Sequence, residues 1–233
     1  MKKFLALAGM VAFLAFSQNA FAQSGRWKTA DPVERGFGIV GGVTLSNVHT
    51  QGWKSDMKCR GRGGVAYKFS FGNGFAVQPE LVFNERSIRL HYDMAETTIL
   101  KMSVENGYIE LPVQVQWGPE IPVGRVFFFA EPFIGVGING YASVVHQPVY
   151  NKWKECNMRR FEYGTGLGVG YEIWHVQLSA QYSTNFGGLA KDPSYENKPD
   201  DPSDPYFEIK ETVAHTLKNH NFGAFYFTMG FFF

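Results

Sequence analysis

Residues 161–173 read FEYGTGLGVGYEI, and apolar side chains alternate in this stretch with small or polar ones. Tyr163, Leu167 and Val169 share one face of an extended chain, while Glu162 and a series of glycines lie on the other. A period of two residues is typical of a β-strand with two unlike faces. The stretch therefore predicts a strand, and we looked for the same alternation elsewhere in the chain.

Seven further segments show this alternation. They are residues 36–47, 62–71, 75–90, 108–117, 125–141, 176–182 and 225–233. The connections alternate in length, and three of them are short: 72–74, 118–124 and 172–175. The other four are longer: 48–60, 91–100, 147–157 and 187–219. An even number of strands with short turns at one end predicts an all-β, eight-stranded antiparallel up-and-down transmembrane barrel with short periplasmic turns and longer extracellular loops.

Composition and charge restrict the partners. The 233 residues carry 22 basic and 21 acidic side chains, so nothing in the charge favours a nucleic-acid partner. Residues 1–22 combine a basic start, an apolar stretch and an Ala-Phe-Ala site, which predicts a signal peptide; an uncleaved anchor is the alternative. We expect a short periplasmic segment over 23–35, a barrel over 36–233, and residence in the outer membrane of a Gram-negative bacterium.

Periodicity alone does not say which face points inward. A soluble sandwich or a lipocalin-like barrel would place the apolar face inside. We favour an apolar exterior, because an eight-stranded barrel has little internal room and the other face carries glycines and long polar side chains. Pro79, Pro112 and Pro132 count against the strands, since proline cannot donate to a ladder; a bulge would absorb each of them.

Aromatic residues gather near the short turns. If those turns are periplasmic, the aromatic side chains predict a girdle at the headgroup level. Its members would be Phe71, Phe75, Trp117, Phe127, Tyr171, Trp174, Phe231 and Phe233.

Three short motifs resemble the PorT-like outer-membrane β-barrel family. They are QPELVF at 78–83, IELPV at 109–113 and AEPFIGVG at 130–137, and the resemblance covers about residues 36–233. It implies an eight-stranded barrel like OmpA or OmpX, and it implies that the strand prolines are a family habit. The resemblance does not imply a shared activity. Because the founding member is tied to protein secretion and gliding, the resemblance suggests one alternative function, that of an accessory subunit of an envelope secretion or transport machine.

The polar face predicts a charged lumen. Charges inside a barrel must be paired, so we expect an internal network of ion pairs that fills the lumen, with Arg60 and Arg62 approaching from its outer end; a proton or ion path is the alternative. The network would contain Lys68, Glu80, Arg86, Glu110, Glu131 and Glu162. Cys59 and Cys156 form a candidate disulfide, because an oxidising compartment permits it.

Catalytic and metal sites are weakly supported. His91, Asp93, Ser103 and His146 would lie at the outer rim, where a barrel enzyme would need them, but their spacing matches no catalytic motif. Asp200, Asp201 and Asp204 lack the glycine and spacing of a calcium loop. We therefore expect no enzyme activity, no cofactor and no metal. The predicted protein is a monomer in outer-membrane lipid, with a structural or surface role through loops 48–60, 147–157 and 187–219.

Overall fold

Eight long antiparallel strands form a closed barrel in the computed structural model, which describes residues 35–48, 54–94, 98–144, 147–150, 159–189, 217–218 and 220–233. The strands are β1 Arg35–Val48, β2 Lys54–Gly72, β3 Phe75–Met94, β4 Thr98–Trp117, β5 Gly124–Val144, β6 Phe161–Ile173, β7 Val176–Phe186 and β8 Phe222–Phe232. Each strand pairs with its neighbour in the chain, and β1 closes the barrel by pairing with β8 from Gly38↔Phe232 to Val48↔Phe222. The predicted fold class is therefore confirmed.

The apolar face points outward. Along β3, Phe83 is 37% exposed, whereas the next residue, Asn84, is fully buried in the lumen. The same contrast holds on the other strands, where exposed Ile, Leu, Val and Phe side chains alternate with buried Glu, Gln, Arg and Ser. Such an exterior matches the lipid-facing band of a transmembrane barrel, and it rules out the soluble alternative with an apolar interior. No helix within the described ranges is long and apolar enough to cross a membrane.

The tight turns lie where the sequence predicts them. Asn73 and Gly74 have φ angles of 52° and 78°, and two successive positive φ angles define the type I′ turn that joins twisted hairpin strands. Trp174 also has a positive φ, at 52°, in the turn between β6 and β7. The connection between β4 and β5 contains a short strand, Glu120–Ile121, that pairs with the start of β5.

The strands reach further at the outer end than predicted. Residues 54–60, expected in a loop, belong to β2, and Lys54 pairs with His91 of β3. A short strand, Gln147–Tyr150, lies within the predicted loop 147–157. Near this end of the barrel the polarity of the two strand faces reverses. On β3, the apolar residues Ile88 and Leu90 are buried, while Arg89 between them is exposed. Residues 190–216 of the predicted loop 187–219 lie outside the described residues.

The strand prolines are accommodated by gaps in the pairing and not, as expected, by bulges. Between β3 and β4, the pairs recorded at Pro79↔Val113 resume at Val82↔Glu110 without a change of register. Between β4 and β5, they pass from Pro112↔Phe133 to Val115↔Ala130, again in register. The missing proline N–H therefore costs local hydrogen bonds and leaves the strand alignment intact.

Phe127 corrects the predicted aromatic girdle. Its ring is fully buried in the lumen, whereas its neighbour Phe128 is 57% exposed on the outer face. The glycines of β6 make room for this ring and for two other rings of β5: a Cβ atom at Gly170 would lie 2.2 Å from Cζ of Phe127. Phe129 and Phe133 lie in the same way against Gly168 and Gly164. The glycine face of β6 is thus the complement of an inward phenylalanine face on β5.

Candidate functional site: the charged barrel lumen

Among the described residues, three groups of charged side chains are buried inside the barrel and a fourth is partly exposed at its outer end; each group has three members. From the short-turn end outward we call them the base trio (Lys68, Arg125, Glu172), the middle trio (Arg62, Glu80, Glu131), the outer trio (Arg86, Glu110, Glu162) and the mouth trio (Lys58, Arg60, Glu105). The strands place the three deeper trios there because their positions continue the inward half of the alternation. Glu105 of the mouth trio lies on the other half of β4, between the buried residues Val104 and Asn106.

The base trio closes the short-turn end. The Nζ atom of Lys68, a residue only 1% exposed, binds Glu172 Oε1. Arg125 Nη1 lies 3.4 Å from Glu172 Oε2, and its Nη2 donates a 2.8 Å hydrogen bond to the carbonyl oxygen of Gly74 in the β2–β3 turn. Arg125 thereby links β5 to the turn on the far side of β4.

The middle trio has two carboxylates on one guanidinium. Arg62 Nη2 lies 3.2 Å from Glu80 Oε2 and 3.2 Å from Glu131 Oε1. Amide side chains supply the remaining donors: Gln78 donates to Glu80 at 2.8 Å, while Glu131 accepts from two amides. Those two amides are Gln114, at 2.7 Å, and Gln181, at 2.8 Å. Both carboxylates are therefore bonded on both oxygens.

The outer trio repeats this arrangement with fewer donors. Arg86 binds Glu110 through Nη2 and Glu162 through Nη1. The two glutamates occupy the same rung of β4 and β6, and Gly135 of β5 lies between them. Asn84 donates to both oxygens of Glu110 at 3.1 Å. The Arg86 guanidinium also lies 3.9 Å from the centre of the Phe222 ring, a cation–π contact that helps to fill the lumen.

The mouth trio is partly open to water. Glu105 binds Arg60, and Lys58 Nζ lies 3.7 Å from the same carboxylate oxygen. The three side chains are 22–38% exposed, in contrast to the 1–4% of the three deeper trios. Solvent screens such pairs, so they contribute little to stability.

The signs of charge alternate in blocks along the axis. The base and mouth trios each have two cations and one carboxylate, whereas the middle and outer trios each have one cation and two carboxylates. An anion entering the barrel would meet the carboxylates of the two central trios, and a cation would meet the cationic ends. The side chains of the three deeper trios are buried, so they fill the lumen at these three levels.

All six lumen residues named from the sequence are buried inside the barrel. Arg86 forms one group with Glu110 and Glu162, as three members of the predicted network. Glu80 and Glu131 both pair with Arg62, and Lys68 pairs with Glu172, which was not predicted. Sequence reasoning missed Arg125 and Glu172. Both continue the inward alternation of their strands by whole two-residue steps, from Glu131 back to Arg125 and from Glu162 on to Glu172, so extending that alternation to the strand ends would have found them.

Most of the predicted girdle lies on the outer surface near the short turns. Six of its members are exposed: Phe71, Phe75, Trp117, Trp174, Phe231 and Phe233. Tyr171 is half-buried, and its hydroxyl donates to the carbonyl oxygen of Val123. Phe127 is the exception described above.

The cysteines and the rim residues do not form a described site. Cys59 is exposed as a free cysteine, and Cys156 lies outside the described residues, so the disulfide stays a prediction. His91 Nδ1 lies 3.5 Å from Asp56 Oδ2, while the buried Ser103 Oγ has no hydrogen-bond partner among the described residues. The Asp93 side chain, His146 and the three aspartates at 200, 201 and 204 also lie outside the described residues. Among described residues, no group of three or more His, Cys, Asp or Glu could hold a metal ion.

Comparison with solved structures finds small outer-membrane barrels. The attachment invasion locus protein Ail of Yersinia pestis has 15% sequence identity over 86% of this chain and 100% of its own, with a TM-score of 0.45. Neisserial surface protein A has 11% identity over 84% and 97%, with a TM-score of 0.43. OprG from Pseudomonas aeruginosa has 10% identity over 87% and 98%, with a TM-score of 0.34. No curated protein sequence matches the chain.

The family comparison is more specific about the sequence. A family model described as an outer membrane protein beta-barrel domain matches residues 21–191, which is most of the chain. It does not distinguish the PorT-like proteins, so that narrower resemblance stays a prediction. The matched range covers strands β1 to β7 of the barrel described above. The chain belongs to the family of outer-membrane proteins with a β-barrel domain.

Proposed function

We propose that this protein is a monomeric, non-conducting barrel in the outer membrane of a Gram-negative bacterium, with a structural or surface-interaction role. The observation that carries the proposal is the filled lumen. Arg62, Lys68 and Arg86 each reach across it to a carboxylate on a strand that is not their neighbour, while Arg125 binds Glu172 on the adjacent strand. Buried ion pairs of this kind are strongly destabilised when one partner is withdrawn, so opening a continuous path would cost several of them at once.

The outer end supports a role in surface interaction. The backbone bonds there hold the ends of the β7–β8 connection together: Leu189 N donates to Leu217 O at 3.1 Å, and Arg159 N donates to Leu189 O at 2.9 Å. The barrel can therefore carry a long connection without relying on it for closure. Exposed charges on the extended strands, such as Asp56 and Arg89, offer polar contacts above the membrane.

The proposal assigns no catalytic role. A serine nucleophile needs a base within hydrogen-bond reach. His91 lies beside Asp56, and no described side chain bonds to the Ser103 hydroxyl, so the described residues supply no nucleophile–base pair there.

The test combines conductance with native mass. The protein is extracted from membranes in mild detergent, its mass is determined, and unboiled and boiled samples are compared by electrophoresis before reconstitution into planar bilayers beside a porin of known conductance. We expect faster migration when unboiled, the mass of one chain and no stable conductance. Large stable currents would overturn the filled lumen. Co-migration in a large assembly would favour the accessory-subunit function, and recovery in the soluble fraction would contradict membrane residence.

A further inference from the structure

The buried carboxylates of the lumen differ in how completely they are bonded. Within the described residues, Glu80, Glu110, Glu131 and Glu172 each accept hydrogen bonds or ion pairs on both carboxylate oxygens. Glu162 accepts only on Oε1, from Arg86. Its Oε2 atom is buried and has no partner. A buried acceptor without a donor is costly, and a buried charged acceptor more so.

The charged groups around Glu162 do not make up for the donor that its Oε2 atom lacks. Arg86 is shared with Glu110, and both glutamates lean over Gly135: a Cβ atom there would lie 3.2 Å from the Cγ atom of each. Among the described residues, the buried phenols of Tyr108 on β4 and Tyr226 on β8 also face this position. Arg62 of the middle trio lies 4.8 Å from the centre of the Tyr226 ring, but its ion pairs are with Glu80 and Glu131. The outer trio therefore sets two carboxylates against one cation.

The middle trio shows how the same charge ratio is made tolerable. Arg62 also serves two carboxylates, but three glutamine amides donate to Glu80 and Glu131. The outer trio has one such amide, Asn84, which donates to both oxygens of Glu110 and to the hydroxyl of Tyr226 but not to Glu162. The missing donor is thus specific to Glu162.

We propose that Glu162 holds a proton on Oε2, which makes the outer trio a proton-binding site inside the barrel. The carboxyl group then becomes a neutral donor next to Glu110, and one carboxylate remains for Arg86. A buried carboxylate whose charge is not fully compensated becomes neutral by taking up a proton. A metal ion would instead need several oxygen ligands around it, whereas Oε2 is a single unpaired oxygen.

Infrared spectroscopy tests the proton directly. The carbonyl stretch of a protonated carboxyl group is recorded on the full-length protein, reconstituted in lipid in deuterated buffer at neutral pH. We expect this band in the natural sequence, its loss in E162Q and its retention in E131Q, a matched variant of the fully bonded carboxylate. A folded barrel without the band, or a band that persists in E162Q, would overturn the proposal.

Two further measurements cover the remaining outcomes. If E162Q does not fold, E162D keeps a carboxyl group and should shift the band; an unshifted band would contradict the assignment. The spectra are repeated with sodium and with choline as the only buffer cation. An unchanged band supports a proton, whereas a band that appears only in choline would show that a metal cation occupies the site instead.

The proposal also fixes the sign of a pH effect. The folded outer trio binds a proton that the unfolded chain releases at neutral pH, so the stability of the barrel should fall as pH rises. E162Q should remove this dependence, while E131Q should keep it. An equally steep dependence in E162Q would place the titrating group elsewhere.

Discussion

Phe127 occupies the space that a side chain at Gly170 would need, since a Cβ atom there would lie 2.2 Å from Cζ of the ring. We therefore expect Gly170→Ala to lower the free energy of unfolding by about 1–3 kcal/mol, the usual cost of overpacking. Gly61→Ala is the matched control, because nothing lies within 4 Å of its added methyl group. Urea titration in lipid vesicles measures both, and equal losses would contradict the packing. Phe127→Leu should partly rescue Gly170→Ala.

We expect the contribution of an ion pair to the free energy of unfolding to depend on how deeply the pair is buried. Arg62→Ala leaves Glu80 and Glu131 buried without their cation, so we expect a loss of about 3–5 kcal/mol. Lys58→Ala removes a partly exposed pair with Glu105 and should cost about 0–1 kcal/mol. The urea midpoint of the unboiled, fast-migrating band reports both variants. Similar losses for the two would mean that water reaches the middle trio.

The girdle predicts a depth in the membrane. Trp117 is exposed on the outer face near the short turns, at the level where aromatic rings meet headgroups. In a variant with Trp117 as its only tryptophan, we expect the strongest fluorescence quenching from lipids brominated close to the headgroup. Maximal quenching by bromine at the chain ends would place the residue near the bilayer centre and would contradict the girdle.

The long β7–β8 connection should be dispensable for folding. Leu189 and Leu217 are joined by a backbone hydrogen bond, so a short glycine-serine linker can replace residues 191–215 without moving β7 or β8. We expect the shortened protein to keep its heat-modifiable mobility and its urea midpoint. A variant that cuts into β8 by deleting 222–225 should fail to fold. Loss of folding in the linker variant would show that the connection stabilises the barrel.

Sequence alternation predicted the membrane part of the barrel well and its two ends less well. The bounds of β6 were right because glycine and aromatic residues alternate strictly from Phe161 to Ile173. The outer ends of β2, β3 and β4 were missed because an apolar outward face marks only the membrane part; on β3 the polarity of the two faces has already reversed at the buried Ile88 and Leu90. Phe127 was assigned to the girdle because aromatic content alone does not give the face on which a ring lies.

The partners of the lumen charges were beyond the sequence. Which residues meet across a barrel depends on how the strands are staggered when the sheet closes, and this stagger brings Lys68 of β2 to Glu172 of β6. Alternation supplies the inward positions, while closure supplies the pairs. The missing hydrogen-bond donor at Glu162 depends on both alternation and closure. Asn84 on β3 reaches Glu110 on β4 but does not donate to Glu162 on β6.

The reversal of polarity on β3 sets how far the protein stands out of the membrane. Outward positions change from Phe83 to Glu85 and Arg89, while Ile88 and Leu90 form a buried apolar side. From Ile88 to Met94 the strand runs on for roughly 20 Å. The outer face of one continuous strand is therefore apolar in its lower part, where it suits lipid, and polar in its upper part, where it suits water. What this protein presents to its surroundings is then in part a wall of paired strands, held by backbone hydrogen bonds between β2, β3 and β4.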